Sequence, residues 1–185
     1  MNFHLKGIER TVSQEYIYEG KILKLRVDKA KTEKGQEVTR EIVEHNGGVC
    51  VAALTDENEL LFVKQFRYAY QEQLLELPAG KREKNENPLE CGKRELKEET
   101  GVTGKGFLSL GQVYPTPGYC TEILHLYICR VDEIGESKPD EDEVIEVVKI
   151  PLERAVEMVI NNEIPDAKTQ IAVMKTYALV RSGRY

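Results

Sequence analysis

The sequence has no apolar run near the roughly 18 residues of a membrane span, and its start, Met1 to Arg10, has no apolar stretch like a secretory leader. It has no excess of basic charge: 26 Lys plus Arg stand against 32 Asp plus Glu, a formal charge of −6 and a pI near 5.3. A nucleic-acid or polybasic membrane binder draws its affinity from a basic surface, so neither is expected as a partner. The four cysteines, Cys50, Cys91, Cys120 and Cys129, include no Cys-x-x-Cys pair, and a chain of this length needs no covalent staples. They are read as reduced packing residues, and the protein as cytoplasmic. The three histidines, His4, His45 and His125, form no group; His125 alternates with Leu124 and Leu126 as a strand residue would, so a structural role is expected for each.

What is present is enough apolar material, 41% of 185 residues, to bury a core in one domain or one domain with an appendage. The first 45 residues alternate as strands do: Glu15 to Glu19, Ile22 to Asp28 and Glu37 to His45, with a turn at Lys34-Gly35. They predict a small antiparallel β unit. After the breaker Asn46-Gly47-Gly48, segments Val49 to Leu54 and Glu59 to Gln65 flank Thr55-Asp56-Glu57-Asn58 and read as a hairpin. A short segment, Leu74 to Leu77, ends at Pro78-Ala79-Gly80. Further strands are expected at Phe107 to Tyr114, Glu122 to Cys129 and Val144 to Ile150, and closing helices at about Leu152 to Asn161 and Ala167 to Arg181, the latter capped by Asp166. Strands with interleaved helices predict an α/β or α+β sandwich.

Four boundary signals agree on one more helix. Asn87 is an N-cap, Pro88 fits the first helical position, Glu90 lies three residues after the cap, and Gly101 follows the last turn. At 100° per residue, Leu89, Gly92 and Leu96 share the apolar side, while Glu95, Glu98 and Glu99 form one stripe. Like charges at that spacing repel. A hard divalent cation would turn the repulsion into coordination, and an all-oxygen donor set suits Mg²⁺ or Mn²⁺ rather than zinc. Arg94, four residues before Glu98, could hold one carboxylate, and Glu86 in the preceding loop could ligate or orient. Taken alone, Lys93 to Glu99 is also the pattern of a solvated helix face laced with salt bridges.

The full spacing decides between the two. Gly80, Glu86, Arg94, Glu95, Leu96, Glu98, Glu99, Gly101 and Val102 match every specified position of a box of the form Gly, five residues, Glu, seven residues, Arg-Glu-aliphatic, one residue, Glu-Glu, one residue, Gly-aliphatic. This resembles the Nudix box of the Nudix hydrolases. The resemblance implies an α/β/α sandwich with a mixed sheet, preceded here by the small N-terminal β unit. It also implies hydrolysis of a nucleoside diphosphate linked to another group, assisted by Mg²⁺, with Mn²⁺ as the alternative. By similarity, Glu95 and Glu99 are the principal metal ligands, joined by the carbonyl of Ala79; Glu98 is a ligand or a water-holding group; Gly80, Glu86 and Arg94 support the site.

Over roughly residues 35 to 180 the chain is further similar to the ADP-ribose pyrophosphatase branch, in which a Pro follows the box Gly by about sixteen residues. Pro117 stands there, within Tyr114-Pro115-Thr116-Pro117-Gly118, with Thr116 in place of the commoner Ser. The resemblance implies that Thr116, Pro117 and Gly118 border the terminal ribose, that Glu122 contacts it, and that Arg67 grips the pyrophosphate. Arg40 and Glu41 match residues that reach the partner's nucleotide pocket in homodimers with exchanged N-terminal strands. In the acidic loop Asp140 to Glu143, Glu141 and then Glu143 are the candidates for the base that positions or deprotonates the attacking water. The organisation implied is a dimerisation subdomain at 1–45 and a hydrolase domain at 46–185. ADP-ribose, yielding AMP and ribose 5-phosphate, is the expected substrate. The box is shared with enzymes acting on nucleotide sugars, NADH or FAD, and with a less expected class, sensors that bind ADP-ribose without cleaving it.

Overall fold

A computed structural model of the chain describes residues 7–138 and 144–185. Glu141 and Glu143 lie outside the described residues. The chain folds as two compact units, one comprising residues 1–46 and 116–122, the other 47–115 and 123–185.

The smaller unit is a three-stranded antiparallel sheet in the order β1-β2-β3, with β1 at Arg10–Glu19, β2 at Leu23–Lys31 and β3 at Glu37–His45. Strand β1 begins five residues before the expected Glu15, because its pairing with β2 runs on to Arg10↔Lys31, past bulges between Thr11 and Ser13 and between Tyr16 and Tyr18. The segment 116–122 joins this unit through a short parallel bridge to β3, in which the Val43 amide donates to the Tyr119 carbonyl at 2.7 Å and the Thr121 amide to the Val43 carbonyl at 2.9 Å.

The larger unit holds β4 (Gly48–Leu54), β5 (Glu59–Arg67), β6 (Glu72–Glu76), β7 (Ala79–Lys81), α1 (Pro88–Thr100), β8 (Val102–Val113), β9 (Leu124–Ile134), β10 (Ile145–Pro151), α2 (Leu152–Ile160) and α3 (Ala167–Arg181). Its mixed sheet runs β10-β5-β4-β9-β8, with β6 beside β5 and β7 beside β4. The expected β4–β5 hairpin is reduced to one pair, Leu54↔Leu60. Beyond it β4 pairs in parallel with β9 from Gly48↔Leu124 to Leu54↔Arg130, and β5 pairs with β10 and β6. An all-apolar strand such as Val49 to Leu54 gains most when both its faces and its edges are covered, as happens at the centre of a mixed sheet. Strand β9 starts at Leu124, which leaves Glu122 in the preceding loop; β8 starts at Val102 rather than Phe107 and accommodates the difference with three register shifts.

Alternation along β4 sorts the core. Cys50, Ala52 and Leu54 join Leu60, Phe62, Leu126, Ile128, Leu152, Ile164 and Val173 on the α2 and α3 side, whereas Val51 and Ala53 join Leu61, Leu96, Val102 and Cys129 on the α1 side. Each fully buried Leu, Ile or Phe here contributes about 1.5–3 kcal/mol by burial. The outcome is a helix layer on either face of the sheet, with α1 fixed by Leu96. No helix of the described residues is long and apolar enough to cross a membrane.

Candidate functional site

Helix α1 starts where the sequence places it. Asn87 Oδ1 accepts from the Leu89 amide at 2.9 Å, Pro88 opens the helix, and Gly101 closes it at φ 73° with its amide donating to the Lys97 carbonyl. These caps fix the rotation of the helix, and with it the direction of the acidic stripe.

Arg94 organises that stripe. Its Nε and Nη2 donate to the two oxygens of Glu86 at 3.0 and 3.1 Å, while Nη1 reaches Glu98 Oε2 and Glu95 Oε1, both at 2.9 Å. One guanidinium therefore ties the loop carboxylate to two carboxylates of the helix. The hydrogen bond from Arg94, aided by the Glu83 amide, outweighs partial burial and holds the Glu86 carboxyl at a pKa of about 2. The same bond to Glu86 raises the pKa of Arg94. Glu86 also shapes its own loop, since its carbonyl accepts from Arg82 Nη2 at 2.7 Å.

Glu99 is only 3% exposed, and its Oε2 accepts from the Ala79 amide at 3.0 Å, which ties the helix to β7. Gly80 is glycine for reasons of space: a Cβ there would lie 1.8–2.2 Å from the Glu95 carboxylate. Glu95 thus occupies the hollow that the missing side chain leaves. Among the described residues no three acidic, His or Cys groups converge as a ready-made metal site. Instead Glu95 and Glu98 face Arg94, and Glu99 faces a backbone amide. The donors are nonetheless all oxygen, and four carboxylates with one guanidinium leave an excess of negative charge. That set fits a hard divalent cation, with Glu95, Glu98 and Glu99 the residues that could hold it.

Arg67, at the end of β5, lies in the same unit. Its Nε and Nη2 each donate at 2.6 Å to the Glu76 carboxylate, which is itself 1% exposed. Lys168 Nζ contacts Glu76 Oε2 and donates to Asp166 Oδ1 at 3.0 Å. Burial would raise the Glu76 pKa, but the bonds from Arg67 and the charge of Lys168 outweigh it and keep the carboxylate ionised. Burial would likewise lower the Lys168 pKa, and Asp166 and Glu76 together raise it instead. Glu76 and Lys168 were not among the site candidates of the sequence. The signal lay in Leu74-Leu75-Glu76-Leu77, where one carboxylate interrupts an apolar run and so demands a buried partner.

Arg40, Glu41, Thr116, Pro117, Gly118 and Glu122 all belong to the smaller unit. Arg40 is taken up by Glu9 through Nε at 3.0 Å and Nη2 at 2.5 Å, and Glu41 is exposed on β3. Pro117 and Gly118 are exposed in a turn entered from half-buried Thr116, whose carbonyl accepts from the Cys120 amide at 3.0 Å. Glu122 Oε1 lies 3.3 Å from His45 Nδ1, and Thr121 Oγ1 accepts from the His45 amide at 3.1 Å. The cysteines are free; burial pushes the Cys129 thiol up to about 12, and burial with the Glu86 hydrogen bond does the same for Cys91, which disfavours the thiolate at both. Burial and the Arg82 charge lower the His125 pKa.

A family model described as the NUDIX domain matches residues 44–172. The chain is 41% identical over 167 residues to the ADP-ribose pyrophosphatase of Bacillus subtilis (strain 168), covering 89% of this chain and 90% of that protein. It is 38% identical over 167 residues to the methanol dehydrogenase activator of Bacillus methanolicus, with the same coverage of 89% and 90%. A crystal structure of an ADP compounds hydrolase aligns with a TM-score of 0.83 over 100% of both chains at 17% identity, a likeness of fold. The protein is a hydrolase with an α/β/α sandwich and a carboxylate-rich loop and helix. It belongs to the Nudix family, and its relatives include ADP-ribose pyrophosphatases.

Proposed function

We propose that this chain hydrolyses the pyrophosphate of ADP-ribose to AMP and ribose 5-phosphate, with Mg²⁺ as the cation and Mn²⁺ as a substitute. The observation that carries this reading is the intact box, all of whose carboxylates gather around α1 and its loop, in a chain 41% identical to an ADP-ribose pyrophosphatase. When bound, a divalent cation neutralises pyrophosphate charge and lowers the pKa of a bound water. Glu95, Glu99 and the Ala79 carbonyl are the proposed ligands, with Glu98 as a further ligand or a holder of the water. Arg94 keeps Glu86, Glu95 and Glu98 in register over the hollow at Gly80. Arg67 is the proposed pyrophosphate contact, and Thr116, Pro117, Gly118 and Glu122 the proposed contacts to the terminal ribose. Water supplies a hydroxyl to one phosphorus, the bridging oxygen leaves with the other, and Glu141 or Glu143 is the proposed acceptor of the released proton.

The chain is further proposed to act in the cytoplasm as a homodimer with exchanged N-terminal strands, residues 1–45 serving dimerisation and 46–185 catalysis, with Arg40 and Glu41 reaching the partner's nucleotide. The exposed apolar residues of β1 support this assembly. The test is hydrolysis of ADP-ribose beside ADP-glucose, NADH and FAD, each with and without Mg²⁺. The expected result is the highest kcat/KM for ADP-ribose, dependent on the cation. A preference for another substrate removes the ADP-ribose assignment and leaves the box chemistry standing; binding without turnover makes the protein a sensor.

A further inference from the structure

Four charged side chains that the proposed reaction does not fully use meet beneath the end of β5. Arg67 offers its Nε and Nη2 edge to Glu76 at 2.6 Å each, and Glu76 contacts Lys168, which donates to Asp166 at 3.0 Å. Asp166 in turn caps α3 by accepting from the Thr169 amide at 2.9 Å, and Thr169 Oγ1 accepts from the Leu77 amide at 2.9 Å, one residue past Glu76. The side chains of Glu76 and Lys168 are 2% and 13% exposed. Helix α3 and strand β6 are therefore joined by a polar clamp within an otherwise apolar layer, and Arg67 is its outermost member.

We infer that Lys168 is a positioning residue that fixes the direction of the Arg67 guanidinium through Glu76. The inference deepens the proposed role of Arg67 in pyrophosphate binding and rests on that reading. A guanidinium bound along its Nε and Nη2 edge keeps one orientation, leaving Nη1 outside the pair and aimed in a fixed direction. That edge is rigid only while Glu76 stays in place. Lys168 Nζ stands between the carboxylate of buried Glu76 and that of half-buried Asp166; without it, the two like charges face each other across a partly desolvated gap and repel, and Glu76 loses its fixed position. A pyrophosphate contact has to be oriented before substrate arrives, because ordering a long side chain on binding weakens affinity. Lys168 supplies that order from a helix that carries none of the box residues. Loss of the clamp should therefore appear in KM more than in kcat.

The test compares Lys168→Met, Lys168→Arg, Arg67→Lys and the double variant Lys168→Met with Arg67→Lys. Two readouts are used. The first needs no substrate: the Arg67 Nε–Hε resonance in ¹⁵N-labelled protein is expected to exchange with solvent at least tenfold faster in Lys168→Met, with Lys168→Arg restoring most of the protection. The second is kinetic, on the best substrate of the panel above: Lys168→Met is expected to raise KM at least tenfold with kcat within about threefold, and to add less than twofold on top of Arg67→Lys. Unchanged Arg67 exchange in a folded Lys168→Met protein overturns the inference, as does a KM effect of undiminished size in the Arg67→Lys background. If Lys168→Met fails to fold, the exchange and KM of Lys168→Gln decide by the same criteria. Faster exchange with no hydrolysis of ADP-ribose by the wild type upholds the clamp and overturns the substrate assignment alone.

Discussion

Glu99 is a structural carboxylate that is also proposed to hold the cation. It is 3% exposed and bonded to the Ala79 amide, so Glu99→Gln keeps a hydrogen-bonding side chain of the same size while removing the charge. The expected outcome is a fall in kcat of about 100-fold or more with the melting temperature little changed, measured by steady-state kinetics beside a thermal scan. Gly80 tests the same site by volume. A Cβ there would overlap the far end of the Glu95 side chain, which can move, so Gly80→Ala should fold normally and lose at least tenfold in kcat/KM as Glu95 is displaced. Glu86 offers a test by pH. Its carboxyl is held at about 2 against a reference value of 4.5, chiefly by the bond from Arg94. A depressed folded-state pKa contributes stability above the unfolded pKa and loses it as pH falls through the folded one. The stability advantage of the wild type over Glu86→Gln should therefore be constant above about pH 4.5 and narrow between pH 4.5 and 2, which paired thermal scans across that range would check.

At the scale of elements, α1 was the most legible part of the sequence because its signals are local. A cap, a proline, an acidic first turn and a left-handed glycine are each fixed by backbone chemistry within a few residues. Gly101 contrasts with Gly80 in this respect. At φ 73°, with a Cβ that would lie 2.4 Å from the Gly135 carbonyl oxygen, Gly101→Ala meets backbone rather than a mobile side chain, and should destabilise the fold by about 1–3 kcal/mol, read as a lowered urea midpoint. The β4–β5 relation was less legible. Two apolar runs around a polar turn read as a hairpin, yet the partner that covers β4, strand β9, lies 76 residues further on (Gly48↔Leu124), and no local pattern reveals a parallel pairing. The box followed from spacing alone, whereas the Arg67–Glu76–Lys168 clamp joins residues separated by 92 positions; only the oddity of Glu76 between leucines pointed to it.

The whole molecule carries a net charge of −6 and yet is proposed to bind an anion beside a carboxylate cluster. Association must then rely on local positive charge, so removing divalent cations should abolish turnover without unfolding a protein whose core is built from Phe62, Leu96, Leu126 and Ile128. The smaller unit poses the other problem of this scale. All ten residues of β1 are exposed, and Val12, Tyr16, Ile17 and Tyr18 among them are between 47% and 60% accessible. The strand is also the outer one of its sheet, with backbone groups on its free edge available for pairing. A stable chain seldom leaves that much apolar surface and strand edge in water; a second copy would cover both. Sedimentation equilibrium should therefore give twice the 21.1 kDa of one chain. Changing Ile17 and Tyr18 together to Glu should shift the protein toward a 21.1 kDa species and lower kcat/KM for ADP-ribose, because Arg40 and Glu41 would no longer reach a partner. A wild-type protein that sediments only as a single chain, with full activity, would rule out the dimer and with it the proposed roles of Arg40 and Glu41.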